Sequence, residues 1–283
     1  MGDPRHFVEL TLSASDPAER RDEPVTCGLP WPRGRLADDR AVRLLDPSGK
    51  AVPVQVSVLD RWSDGSARWA MLRWRATFAG RASWRLEVTS PPKEPPRPPV
   101  ELHADPEGGG IRIDTGKITC RIEAGNAFPF AALTASGKTV IDPGTSGFEI
   151  EGPAGEKLTA RVIRLELEES GPLYARVRLD CGLLGAEASN LLRVFSRLSF
   201  RAGSTTVRFD LTIRNSRRAR HAGGIWELGD PGSYLVRSAS LRLALPGGAA
   251  DRVFCSPTTG AGETELALPF ELHQESSGGE NWN

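Results

Sequence analysis

The chain has 283 residues, with 39 % apolar and 25 % charged side chains, which is enough to bury a sizeable core and rules out global disorder. Thirty-six basic residues balance thirty-six acidic ones, so no net charge draws the protein to nucleic acid or an anionic membrane. MGDPRHFVEL at the N-terminus contains no apolar h-region, and no run of about 18 apolar residues occurs; neither a secretory signal nor a membrane span is expected. The compartment stays open.

In chain order, helical periodicity is nearly absent and alternation is pervasive. Val54, Val56 and Val58 alternate with polar neighbours, as do Ala70, Leu72, Trp74, Ala76 and Phe78. Between these runs lies Asp64-Gly65. A two-residue loop would set Val56 opposite Arg73. A three-residue loop over Ser63, Asp64 and Gly65 pairs Val58 with Ala70, Val56 with Leu72, Val54 with Trp74 and Asp60 with Arg68. It also places Gly65 in the left-handed position of a type I turn with a G1 bulge. Trp74 is then core, Trp69 packs on the reverse face beside Leu59 under a second domain, and Trp62 at the turn is the most exposed.

Residues 91–99, PPKEPPRPP, hold six prolines in nine positions. Proline donates no ladder hydrogen bond, so this predicts an extended polyproline-II spacer of roughly 28 Å. It divides a small barrel-like domain, 5–90, from a larger one, 101–283, against which the first is expected to pack. In the second part, YARVRLDCGLL points Ala175, Val177, Leu179 and Cys181 inward. TTVRFDLTIR does the same with Val207, Phe209, Leu211 and Ile213, and Leu241, Leu243 and Leu245 form a further inward row. Roughly fifteen candidate strands, punctuated by 30 Gly and 22 Pro, define an all-β chain. Cys27, Cys120, Cys181 and Cys255 are widely spaced, without a CxxC pair, and read as free, buried thiols with no zinc site.

Two motifs carry a resemblance. VTCGLPWPRGRL, residues 25–36, followed by QVSVLDRWSDGSARWAMLRW, residues 55–74, is similar to the N-terminal RIFT-barrel domain of the exo-rhamnogalacturonan lyase/YetA-like family. The resemblance extends into TGKITCRIEAGNAFPFAALTASGKTVI, FSRLSFRAGSTTVRFDLTIRN and GGIWELGDPGSYLVRSASLRL, covering about 25–283. It implies a small RIFT-like barrel followed by a large antiparallel β-sandwich. Family members are usually longer and carry a helical toroid that this sequence lacks. The chain is therefore expected to be an N-terminal portion of a larger protein, its sandwich cut short at QESSGGENWN.

A lyase acting on a uronate must neutralise the carboxylate and place a base near the C5 proton. Residues 214–235, RNSRRARHAGGIWELGDPGSYL, hold the densest supply of suitable groups. His221 and Tyr234 are candidate bases, Arg220 and Arg218 candidate carboxylate clamps, Trp226 a stacking residue and Glu227 a further binding group. The competing reading is a solvated basic loop with a turn at Asp230-Pro231-Gly232. His6, His103 and His273 lack metal-ligand spacing, and no nucleotide fingerprint follows a strand, so no metal or cofactor is expected. The reading favoured is a non-catalytic N-terminal β-region, a scaffold and cleft wall for acidic pectin-type glycans, partnered by a C-terminal catalytic domain of the same parent chain. The alternatives are a self-sufficient lyase using the 217–234 loop, and a carbohydrate-binding module whose exposed aromatics are Trp62, Trp226 or Trp31.

Overall fold

A computed structural model describes residues 7–16, 18–125, 128–185, 192–217, 232–245, 253–256 and 262–266. Within them every strand pairing is antiparallel and no α-helix occurs. The first part holds β1 (Phe7–Ser13), β2 (Glu19–Pro30), β3 (Val42–Leu45), β4 (Ala51–Val52), β5 (Val54–Arg61), β6 (Ala67–Ala79) and β7 (Arg81–Val88). They form two sheets, ordered β1-β7-β3-β4 and β2-β6-β5, which close on one core of Leu10, Trp31, Leu36, Leu44, Leu72, Trp74, Trp84 and Leu86.

The hairpin between β5 and β6 has the expected register: Val54 faces Trp74, Val56 faces Leu72 and Val58 faces Ala70. The Gly65 amide donates to the Trp62 carbonyl at 2.9 Å, closing the turn, and Gly65 adopts φ +83°, where a Cβ would be strained. One detail differs. A bulge past Val58 sets Asp60 opposite Trp69, while the Arg68 side chain reaches Asp60 at 3.2 Å.

The second part is the expected sandwich. Its first sheet is a meander of β8 (His103–Glu107), β9 (Gly110–Asp114), β10 (Ile118–Glu123), β11 (Ala132–Ala135) and β12 (Lys138–Thr139). The second sheet contains β13 (Asp142–Glu151), β14 (Lys157–Glu169), β15 (Tyr174–Leu184), β16 (Leu192–Arg201), β17 (Arg208–Asn215) and β18 (Ser238–Ala244), in the order β17-β16-β15-β14-β13-β18. A two-stranded ribbon, β19 (Val253–Cys255) and β20 (Thr264–Leu266), follows. Ala175, Val177, Leu179 and Cys181 are buried between the sheets with Ile113, Ile122, Phe128, Phe148 and Phe200. Period-2 alternation produces this core, because each inward side chain of β15 meets the other sheet while its neighbours stay outside.

Expected inward rows open to solvent at both edges of the sandwich's second sheet, and Ile213 of β17 is 40 % exposed. Leu241, Leu243 and Leu245 are exposed: β18 is an edge strand, paired only with β13, so even Leu241, opposite the buried Phe148, stays open. The proline segment has no strand, as its missing donors require. Pro92, Pro95, Pro96 and Pro98 line a cleft of about 690 Å³ with Val42, Val54 and Val56 of the first part and Gly171 and Pro172 of the second. β5, the edge strand of its sheet, borders the same cleft.

Candidate functional site

Two clusters are built from the motif residues, one at the hairpin tip and one where the barrel meets the sandwich. At the tip, the 25–36 loop is bonded to the hairpin at several points. The Trp31 amide donates to the Arg68 carbonyl at 2.9 Å, and the Ala67 amide donates to the Leu36 carbonyl at 2.8 Å. Trp62 Nε1 donates to the Trp31 carbonyl at 2.9 Å. The Gly34 amide donates to Ser66 Oγ at 2.8 Å, and Ser66 Oγ in turn donates to Asp64 Oδ1 at 2.6 Å. Arg33 Nη2 donates to Ser63 Oγ at 2.9 Å. The Ser66 hydroxyl and amide, with Arg33 beyond them, hold the Asp64 carboxyl below the usual carboxylate range. The Ser63 and Ser66 hydroxyls thus join the turn to the loop of the other motif, while the Gly65 and Ser66 amides are used within the hairpin itself.

These contacts change the reading of the aromatics. Trp31 is buried, 6 % exposed, and offers no stacking face. Trp62 is half-buried, its N–H is spent on Trp31, and the Arg68 guanidinium lies 5.0 Å from its ring centroid. Trp69, expected to be covered, is 42 % exposed, and Leu59 is 52 % exposed. The sandwich covers the same face of the β5–β6 pair, but further along, at Gln55, Ser57 and Arg73.

That junction is the most highly organised polar site among the described residues. Gln55 and Arg73 are cross-strand partners on the outer face of the hairpin, and both are buried. Arg73 Nη1 donates to Glu169 Oε1, and the pair is 8 % and 9 % exposed. The same carboxylate oxygen accepts from Ser57 Oγ at 2.5 Å and from Gln55 Nε2 at 3.0 Å. Gln55 also acts as a surrogate peptide group. Its Oε1 accepts the Leu173 and Tyr174 amides at 3.1 and 2.9 Å, and its Nε2 donates to the Tyr174 carbonyl at 3.1 Å. The Arg73 guanidinium carbon sits 3.9 Å from the Tyr174 ring centroid, and Tyr174 Oη lies 2.9 Å from Ser199 Oγ. Gly171 lets the loop approach this closely, since a Cβ there would fall 2.4 Å from Gln55 Cδ. One row further, Arg75 Nη1 donates to the Ala202 carbonyl at 2.7 Å.

Of the residues expected to do chemistry, Arg218, Arg220, His221, Trp226 and Glu227 lie outside the described residues. The base of their loop is held by Asn215 Nδ2 donating to the Gly232 carbonyl at 2.7 Å. Tyr234 Oη donates to Glu156 Oε1 at 2.7 Å, bracing the turn between β13 and β14. This bond raises the Tyr234 pKa and lowers that of Glu156, so the pair favours a protonated phenol. A general base needs the opposite tendency. Among the described residues no group of three His, Cys, Asp or Glu side chains is placed to hold a metal ion.

Two small antiparallel sheets packed on one core, with a Gly-Leu-Pro-Trp-Pro loop stapled to an Asp-Gly-Ser hairpin, define a RIFT-barrel-like domain joined to a β-sandwich. Residues 11–86 match the PcRGLX-like N-terminal RIFT barrel domain. The chain is also 25 % identical over 193 residues to the uncharacterized protein YetA of Bacillus subtilis strain 168, which takes in 65 % of this chain and 22 % of that relative. The resemblance read from the two motifs, to a YetA and rhamnogalacturonan lyase-like family with a RIFT barrel, is borne out. The chain spans about a fifth of the length of that relative.

Proposed function

We propose that this chain is the non-catalytic β-region of a polysaccharide-lyase-like protein acting on acidic, pectin-type glycans, where it serves as a scaffold and forms one wall of the substrate cleft. The observation that carries the reading is the Arg73–Glu169–Gln55 junction. A barrel attached by its linker alone would tumble against the sandwich. Here a buried ion pair, a glutamine satisfying three backbone groups and a stacked guanidinium fix its angle. Such specification suits a part whose task is to hold a larger assembly in register. Tyr234, the one described member of the candidate catalytic set, adds support, because it is engaged in bracing a turn.

The test is direct. The chain is incubated with polygalacturonate and with rhamnogalacturonan, and the unsaturated product of β-elimination is followed by its ultraviolet absorbance. No product is expected. Product formed by the intact chain and lost in His221→Ala, Arg220→Ala or Tyr234→Phe would replace this reading with that of a self-sufficient lyase.

A further inference from the structure

The outer face of the second sandwich sheet carries a row of arginines without acids. Arg193 of β16 and Arg214 of β17 are direct cross-strand partners, and like charges so placed repel one another. Arg161 of β14 lies opposite Gly182 of β15, and Gly182 and Arg193 come one position past the last paired residues of β15 and β16, Cys181 and Val194. Cys181, Val194 and Val162 are buried, so their neighbours in the row point outward. At about 4.8 Å per strand, the row spans roughly 14 Å from Arg161 to Arg214. All three arginines are exposed, and none makes an ion pair or side-chain hydrogen bond with a described residue. Elsewhere on this face arginines are matched: Arg178 with Asp180 at 2.8 Å, Arg197 with Glu168 at 2.9 Å and Arg208 with Asp210 at 2.9 Å. The middle of the row is apolar. A bulge in β14 between Val162 and Arg164 turns Ile163 outward, where it is 65 % exposed. Its Cγ2 stands 3.3 Å from where a Gly182 Cβ would project, so the glycine leaves a place for it between Arg161 and Arg193. Repulsion between neighbours and a glycine inside a strand both cost stability. Violations of this kind gather where a surface serves a ligand.

We propose that the row of Arg161, Ile163, Arg193 and Arg214 binds a carboxylate-bearing polysaccharide laid across the strands. Each guanidinium presents a fork of N–H donors that matches a carboxylate bidentately. The C–H face of a pyranose ring over Ile163 removes apolar surface from water. Carboxylates of the flanking rings then meet Arg161 on one side and Arg193 with Arg214 on the other, and a bound anion there relieves the repulsion between the last two. The row admits a narrow chain only. The next row along the strands lies about 7 Å away and holds Asp180, and the row after it holds Glu166 and Asp210. A nucleic-acid duplex or an anionic membrane covers several rows and would meet these carboxylates, and a chain of zero net charge supplies no field to offset them. The inference rests on the proposed function for the glycan class of its ligand, and it assigns the acidic units of that glycan to the sandwich.

Calorimetric titration of the full chain with oligogalacturonate, with oligoguluronate (a uronate chain of a non-pectin glycan) and with single-stranded DNA of matching charge tests it. At least one of the two uronate oligomers should bind, more weakly as salt rises. Arg161→Gln, Arg193→Gln and Arg214→Gln should each weaken that binding roughly tenfold, and Arg193→Lys should recover only part of the loss. Ile163→Ser should weaken it about threefold. Arg208→Gln, on the same face but at a paired arginine, is the control and should leave it unchanged. The urea midpoints of Arg193→Gln and Arg214→Gln should equal or exceed that of the wild type, since each substitution removes a like-charge contact. Binding of the DNA alone, no binding of either uronate oligomer, binding unchanged in all three arginine variants, or lost binding accompanied by a fall in all three midpoints overturns the proposal. Oligogalacturonate bound as well without the row's arginines would keep the pectin-type reading and remove this one. Oligoguluronate bound through the row, with oligogalacturonate ignored, would keep this one and remove the pectin-type reading.

Discussion

Arg73→Met is the most informative perturbation of the junction. Methionine keeps much of the side-chain volume and removes the charge. Glu169 would then be a carboxylate 9 % exposed, left with only Ser57 and Gln55 as donors and no counter-ion. Breaking a buried ion pair by deleting one partner costs about 3–5 kcal/mol, because the survivor remains desolvated and unpaired. For a chain of this size that corresponds to a fall in Tm of roughly 6–20 °C. The exposed Arg68–Asp60 pair is the internal control, since surface pairs are worth about 0–1 kcal/mol. Urea unfolding, monitored by tryptophan fluorescence and by calorimetry, measures both. The double variant Arg73→Met, Glu169→Leu should recover much of the loss, giving a coupling of about 0.5–3 kcal/mol in the cycle. Arg73→Lys should rescue only in part, because a point ammonium lacks the planar stack on Tyr174. A cost for Arg73→Met below about 1 kcal/mol, equal to that of Arg68→Ala, would refute the reasoning.

Two further outcomes follow from titrating groups. Burial pushes the Cys120 and Cys181 thiols up to about 12, with Asp180 adding to the effect at Cys181. At pH 8 roughly one such thiol in ten thousand is ionised, so both should resist a disulfide reagent until the chain is unfolded; prompt modification of either in the native state would contradict their placement. At Glu168, desolvation raises the pKa but is outweighed by the Arg197 hydrogen bond and the charges of Arg197, Arg176 and Arg178, so the net shift is downward. A depressed folded pKa means stability that is present above the ordinary glutamate range and lost as pH falls through it to the lower folded value. The urea midpoint of the wild-type chain should therefore fall more steeply on acidification than that of Glu168→Gln, and parallel curves would remove Glu168 from the account.

What could be read in the sequence was whatever depends on neighbours a few residues apart. The β5–β6 register followed from alternation on both sides of an Asp-Gly turn, because a one-residue slip would have put Arg73 opposite Val56. The sandwich core was legible in β15 for the same reason. The junction was not, because Glu169 lies 96 positions from Arg73 and nothing local marks it as the partner. Gln55 appeared only as a letter in a motif, and its three backbone contacts exist only after two domains meet. Alternation also says which face a side chain takes, not whether that face is covered. Leu241, Leu243 and Leu245 have the inward pattern and the exposure of an edge strand. Trp69 was misjudged because the sandwich stops short of it, and Trp31, which the binding-module alternative needs exposed, packs into the barrel core.

The two family-marking motifs thus divide by task. The Gly-Leu-Pro-Trp-Pro loop and the Asp-Gly-Ser turn use their polar groups on each other, and Gln55 and Arg73 use theirs on the sandwich. Residues so occupied cannot also receive a substrate, which is why the resemblance reports architecture more directly than chemistry.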